Sequence, residues 1–199
     1  MINEKRDDIV LELYNHIQKE ELHFNELEKG YRLLASQWLL ASLAGIGFLL
    51  KDEKIILADN FKTVLIGAIG LFSNLGIFLL WIIDVKVYHK LLNCAFLQGV
   101  KLEQENDWLP KIRTDMLLSQ ETGDVVRSTG LFYIGSCSLL MIVAVIAFSV
   151  AYHEYIWLIL ISGIALLFTQ VIYMIKNGKN KRAAGLYRKL KANYVDDVI

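Results

Sequence analysis

Two groups of side chains in this sequence have the types and spacing to do chemistry. In the first, Glu20 and His23 stand at a Glu-x-x-His spacing, with His16 one heptad earlier and Glu26 close by. That is half of what a carboxylate-bridged metal bundle needs, because a second such motif must project from a facing helix. The sequence has no second copy, so no metal site is expected and the group reads as a solvated helix face. In the second, Asp84, Lys86, Tyr88, His89 and Lys90 fall together where a long apolar run ends. An enzyme acting on lipid phosphates could use such a cluster, but any helix anchoring itself at headgroup depth carries the same residues, and anchoring is the expectation. There is no Gly-rich phosphate loop, no Gly-x-Ser-x-Gly elbow and no His-Glu-x-x-His. The expectation is a protein that is not an enzyme, with no catalytic residues and no cofactor.

The elements that carry these groups are set by four strongly apolar stretches, Tyr31 to Leu50, Thr63 to Ile83, Leu131 to Tyr152 and Tyr155 to Ile175. Each holds about 20 residues, enough at about 1.5 Å per residue to cross a hydrocarbon layer of roughly 30 Å, and none has an ionisable side chain in its central turns. Mean hydropathy is +0.40 with 55% apolar residues. A soluble bundle of that composition would interrupt its apolar faces with charge every turn, and these stretches do not. The predicted fold is therefore all-α: a polytopic membrane protein with four transmembrane helices. Met1 to Gly30 lacks a basic start, a short apolar core and a cleavage site, so the first span is expected to act as its own insertion signal.

Basic residues set the orientation. The segments before the first span (with Arg32), between spans two and three, and after span four hold 5, 6 and 7 Lys and Arg, whereas the other connections hold only Lys51, Lys54 and Lys62. Both termini and the segment 84–130 are thus expected on the cytoplasmic side. The connection around His153 and Glu154 is short enough to force a tight hairpin. Cys94 and Cys137, one beyond a span and one within, read as packing residues rather than a disulfide.

Helical spacing extends beyond the spans. Val10, Leu13, Ile17, Phe24, Leu27 and Tyr31 alternate by three and four, with Glu20 breaking the stripe, and Trp81, Val85, Tyr88, Leu92, Ala95, Gly99 and Leu102 repeat the pattern. Helices one and two should therefore continue into a cytoplasmic stalk, with 1–30 a cytoplasmic helix and 84–130 a helical insertion. Pro110 is expected to open a short helix through Ser119, and Gly123-Asp124 to turn the chain back. After Asn177-Gly178, Lys179 to Tyr194 reads as a basic amphipathic helix with Ala183, Tyr187, Leu190 and Tyr194 on one side. The segment 176–199 is a cytoplasmic tail of net charge +5, against −4 for 1–30. Its Lys179, Lys181, Arg182, Arg188, Lys189 and Lys191 suit an acidic partner segment or anionic headgroups.

Inside the spans, Gln37, Asn74, Ser136, Ser138 and Gln170 fall about 8 to 13 Å from the cytoplasmic surface. Such groups need partners in lipid. They are expected either to form an interhelical hydrogen-bonding layer or to line a water-filled path. Small residues, among them Gly45, Gly47, Gly67, Gly70, Gly76, Ser162, Ala165 and Thr169, point to close helix contacts inside one subunit. A single four-helix bundle is filled by its own side chains, so any pore requires several copies. There is no intramembrane carboxylate of the kind small proton-coupled multidrug exporters use, and no Thr-Val-Gly-Tyr-Gly filter.

The arrangement resembles the SLATT-like group of bacterial membrane effectors, which join a helical cytoplasmic region to a few membrane helices. The resemblance rests on Lys29-Gly30-Tyr31-Arg32-Leu33-Leu34-Ala35 entering span one, and on Trp81-Ile82-Ile83-Asp84-Val85-Lys86-Val87-Tyr88-His89-Lys90 leaving span two. Four spans depart from the two usual in that group. It implies a homo-oligomer in the bacterial inner membrane that permeabilises it when infection is signalled. The implied partners are lipids, further copies and a cytoplasmic protein or signalling nucleotide, with no direct nucleic-acid binding. The alternatives are a non-conducting scaffold that recruits a soluble partner, and a lipid-modifying or transport protein.

Overall fold

The computed structural model describes residues 2–51, 59–119 and 124–177. Among them every regular element is helical. Helix α1 runs unbroken over Ile2–Lys51, fifty residues without a proline, so the expected continuation of span one outward is present as one helix. Helix α2 (Asp59–Trp81) passes through a π-helical segment, Ile82–Tyr88, into α3 (His89–Glu105). The expected continuation is again present, but the spacing of the sequence did not disclose the π turn. Helix α4 is Ile112–Ser119, which leaves Pro110 before the helix rather than in its first turn. Helix α5 (Asp124–Ala151) begins at Asp124, the residue expected to turn the chain. A 3-10 turn, His153–Tyr155, joins it to α6 (Ile156–Asn177) as the tight hairpin expected, closed by Tyr152 N donating to Phe148 O and Tyr155 N to Tyr152 O at 2.9 Å each. The basic tail lies outside the described residues.

Among the described residues four helices are long and apolar enough to cross a membrane. The described residues fall into two compact units, one from the segments 2–30 and 84–126, the other from 31–83 and 127–177.

The second, apolar unit packs Ile46 and Leu49 of α1 against Ile66 of α2 and Ala147 of α5, with Leu65, Ile69 and Val143 around them. Glycines bring its helices close. A methyl on Gly70 would lie 3.0 Å from the carbonyl oxygen of Leu140, one on Gly76 2.9 Å from the Trp38 ring, and one on Gly163 2.3 Å from Val145 Cγ2. Gly67 faces Phe148 in the same way. Gly45 and Gly47 do not, since nothing lies within 4 Å of either, and Ser162, Ala165 and Thr169 are exposed. Close packing within one subunit thus accounts for only part of the small residues.

In the first, polar unit, Tyr14 and Ile17 of α1 pack with Leu102 of α3 and Leu109, and Val10 covers them. The inward face is wider than the stripe expected: Val10, Ile17, Phe24, Leu27 and Tyr31 are at least half-buried and only Leu13 is exposed, while Tyr14, Glu21 and Glu28 also turn inward. Reading apolar residues as the only inward ones misses the two acids.

Candidate functional site

The apolar unit holds its polar side chains in two hydrogen-bonded pairs. Gln170 Nε2 donates to Asn74 Oδ1 at 2.8 Å, joining α6 to α2. Asn74 is 1% exposed, and its Nδ2 has no partner among the described residues. One residue earlier, the hydroxyls of Ser73 and of Ser42 on α1 bond to each other at 2.7 Å. Cys137, expected to be a packing residue, is buried with its thiol 3.9 Å from the Asn74 carbonyl oxygen. Of the five residues expected to form a polar layer, only Asn74 and Gln170 bond to each other. Ser136 is buried and donates to Phe132 O of its own helix at 2.8 Å, and Ser138 is half-buried. Gln37 is exposed on α1 and makes no side-chain hydrogen bond. The Ser42–Ser73 pair escaped the sequence reading because a serine can satisfy itself on its own helix, and Ser42 also donates to Trp38 O. Amides and hydroxyls of this kind hold helices in register, and they neither gain nor lose a proton near neutral pH.

The polar unit holds a buried cluster of charged side chains. Glu103, on α3, is fully buried, and its carboxylate accepts from the backbone N–H groups of Arg113 (3.0 Å) and Thr114 (2.9 Å) and from the Thr114 hydroxyl (3.0 Å). It therefore caps the start of α4, whose first N–H groups have no partner inside their own helix. The Tyr14 hydroxyl and Arg113 Nη1 approach the same oxygen at 3.4 Å each. Arg113 Nε donates to Glu21 on α1 at 2.7 Å, and its guanidinium carbon lies 4.5 Å from the centre of the Tyr14 ring. Gly99 makes room for this side chain: a methyl there would sit 2.4 Å from Arg113 Cδ. Burial raises the Tyr14 phenol above the usual tyrosine value; Arg113 opposes this and Glu103 adds to it. For Arg113 burial works against the charge, but the Glu21 hydrogen bond and charge outweigh it, helped by Tyr14 and Glu103, so its affinity for the proton rises. Lys111 bonds to the backbone oxygen of Glu103 and to Asn106 O at 3.4 Å, closing the end of α3.

The cluster expected to anchor at an interface sits differently. Asp84 is fully buried on the π-helical segment, Lys86 and Tyr88 are half-buried, and Lys90 is exposed. His89 Nδ1 lies 3.0 Å from Glu28 Oε1, and Glu28 is 3% exposed. Asp84 and His89 thus take part in helix packing, while Lys86 and Tyr88 keep part of their surface and Lys90 remains exposed. His16 and Glu20 lie 4.0 Å apart on an exposed face, and His23 is exposed. Among the described residues no group of three or more His, Cys, Asp or Glu is placed to hold a metal ion. Lys179, Lys181, Arg182, Arg188, Lys189 and Lys191 lie outside the described residues.

In comparison with known proteins, the chain matches no family model, no curated protein and no solved structure.

Proposed function

We propose that the chain works as an oligomeric integral membrane protein that perturbs or perforates the bacterial inner membrane under the control of its cytoplasmic helices. The observation that carries this reading is Gln37. Among the amides of the spans, Asn74 and Gln170 pair with each other, whereas Gln37 is exposed with no hydrogen bond. An amide facing hydrocarbon is costly and finds its partner on another helix. Gln37 belongs to an exposed seam, Leu34, Gln37, Ala41, Ala44 and Phe48, spaced by three and four along α1. Alanine at two of those positions lets a second copy approach closely, as a helix-pairing seam requires. Control by the cytoplasmic helices is supported by continuity, because α1 carries both Glu21, bonded to Arg113, and the Gln37 seam.

The experiment reads membrane potential with a potential-sensitive dye in bacteria expressing the chain during phage infection. The intact chain should depolarise the cells. Gln37→Leu and Asn74→Leu should remove that effect while both variants remain membrane-inserted. An unchanged potential in well-expressing, infected cells refutes the proposal.

The scaffold reading is favoured by a different observation. Trp108, Ile112 and Met116 are all large, apolar and exposed at one side of the polar unit, with α4 contributing two of them one turn apart. A soluble partner docking there needs no conductance. The lipid-modifying reading has lost support, because Asp84 is buried and His89 is engaged by Glu28.

A further inference from the structure

The exposed seam of α1 continues beyond the span. Counted back from Leu34 in steps of four and three, it passes Gly30, Leu27, His23, Glu20, His16 and Leu13 to reach Ile9. Glu20 and Leu27 are half-buried and the others exposed, Ile9 at 59% and Leu13 at 47%. On a straight helix a seven-residue repeat drifts by about 20° per heptad, yet this one stays outside its own subunit's packing as far as Phe48, the pattern of a helix that pairs with a second helix. The stripe carries no Lys or Arg. Its one acid, Glu20, lies between two histidines, with His16 Nε2 4.0 Å from Glu20 Oε1.

We propose that a second copy of the chain covers this stripe, α1 against α1, and that His16 and Glu20 of the two copies together hold a zinc-like divalent metal ion. The inference rests on the oligomer proposed above and extends its seam from Gln37 toward the N-terminus. The occupant follows from what can cover the whole stripe. Hydrocarbon covers Leu34 and Phe48 but not Glu20, and a soluble partner reaches Glu20 but not the span, whereas α1 of another copy covers both. Register follows from insertion. Copies that enter a membrane with one topology hold α1 parallel and at the same depth, so each residue of the stripe meets its own counterpart. Gln37 then meets an amide that can both donate and accept. At Glu20 the same rule brings two carboxylates together, a repulsion that a proton or a bound cation relieves. The histidine one turn away on each helix decides for a metal, because two imidazoles and two carboxylates are a ligand set that zinc accepts in tetrahedral geometry. The 4.0 Å between His16 and Glu20 is close to the roughly 3.3 Å that separates two ligands of a tetrahedral zinc with bonds of about 2.0 Å. One copy supplies only half of the set, and among the described residues of a single chain no metal-holding group is present.

The test uses the full chain without an affinity tag, with Cys94→Ser and Cys137→Ala so that neither thiol binds metal or oxidises. In bilayer discs holding two copies, zinc titrated against a chromophoric chelator should bind at one ion per two copies. Discs holding one copy should bind it more weakly by over a hundredfold, since losing half the ligands exceeds the roughly 10- to 100-fold that altering an outer-shell partner costs. Glu20→Gln and His16→Ala should each weaken binding in two-copy discs to a similar degree, and His23→Ala should keep it. Pairing is read separately, in the presence of EDTA. Ile9→Cys should form a disulfide between copies on mild oxidation, and Gln18→Cys, on the opposite face of α1, should do so far more slowly. Equal rates refute the α1 seam and the oligomer with it. Faster linking at position 9, with zinc bound no better than by Glu20→Gln, refutes the metal site and leaves the oligomer standing. Binding equally tight in one-copy discs refutes a site shared between copies, and binding lost with His23→Ala but kept with His16→Ala refutes the ligand assignment.

Discussion

Replacing Glu103 with alanine should open the polar unit and leave the apolar unit intact. The carboxylate is fully buried, and its removal strips the acceptor from Arg113 N, Thr114 N and the Thr114 hydroxyl. Each buried donor left without a partner costs about 1 to 3 kcal/mol, and breaking a buried ion pair by deleting one member costs about 3 to 5 kcal/mol. These figures overlap, since they count the same carboxylate. Arg113 also keeps Glu21 at 2.7 Å and is not left uncompensated. The low end applies, about 3 kcal/mol, or roughly a hundredfold in the opening equilibrium. Hydrogen exchange on the full chain in detergent measures it. Peptides covering 10–24 and 95–119 should lose roughly a hundredfold in protection, with peptides from 140–175 as an unchanged internal reference. Adding Arg113→Met should recover part of the loss, because the guanidinium then no longer needs a counter-charge. A change below about threefold in the 95–119 peptides, far under what a lost buried pair costs, would refute the assignment of Glu103 as the cap of α4.

Gly163→Ala should lower the melting midpoint in detergent by the cost of overpacking, about 1 to 3 kcal/mol, because the new methyl would lie 2.3 Å from Val145 Cγ2 and a β-branched side chain in a helix has little freedom to turn away. Val145→Ala in the same chain should restore the midpoint, and an unaltered midpoint in Gly163→Ala would mean α5 and α6 are not in close contact there. Alkali should loosen the polar unit: Tyr14 and Arg113 both hold their protons more tightly folded than unfolded, so their contribution is complete below the ordinary tyrosine value of 10.0 and is lost as pH rises through the raised folded values. Melting midpoints followed upward from neutral pH should fall beyond that value, and Tyr14→Phe should shallow the fall. Identical profiles for the two proteins would exclude Tyr14.

The helical architecture was legible because it depends on length and apolar content, properties that a bilayer's thickness translates directly into spans. The hairpin at His153 and the continuation of α1 from its first turns followed from the same counting. Two features were not legible, for identifiable reasons. The network around Arg113 joins Tyr14 to Glu103 across 89 residues of sequence and Glu21 to Arg113 across 92, and nothing local marks a glutamate that will be buried. One signal was present: Gly99 on the inner stripe of α3 announces that something large must pass there, and that something is the stem of Arg113. The second feature is the π-helical segment. It changes the residue count per turn over Ile82–Tyr88, yet the stripe extrapolated from Trp81 through Val85, Tyr88, Leu92, Ala95, Gly99 and Leu102 is buried or half-buried throughout, so the turn left no mark in the apolar spacing.

Depth and direction answer different questions about the polar residues of the spans. Counting residues from the end of an apolar run gives depth, and it placed Gln37, Asn74, Ser136 and Gln170 at similar levels. Direction decides which of them lacks a partner. A hydroxyl can donate to a carbonyl one turn back, as Ser36, Ser42, Ser136 and Thr169 all do, and so costs little wherever it points. An amide presents two donors and an acceptor, so a bond to a carbonyl one turn back, such as Asn177 makes to Tyr173 O, meets only part of its need. Asn74 and Gln170 solve this by facing each other across α2 and α6, and even there one Asn74 donor is left over. Gln37 has no such neighbour and lies on the outer face of α1. The amide whose depth made it look like the others is therefore the one whose direction leaves it without a partner among the described residues, the observation on which the proposed oligomer rests. A leucine at position 37 separates the two cases: it should leave the subunit's own stability nearly unchanged, while a leucine at 74 strands the Gln170 amide and costs about 0.6 to 1.7 kcal/mol, the range of hydrogen bonds between membrane helices.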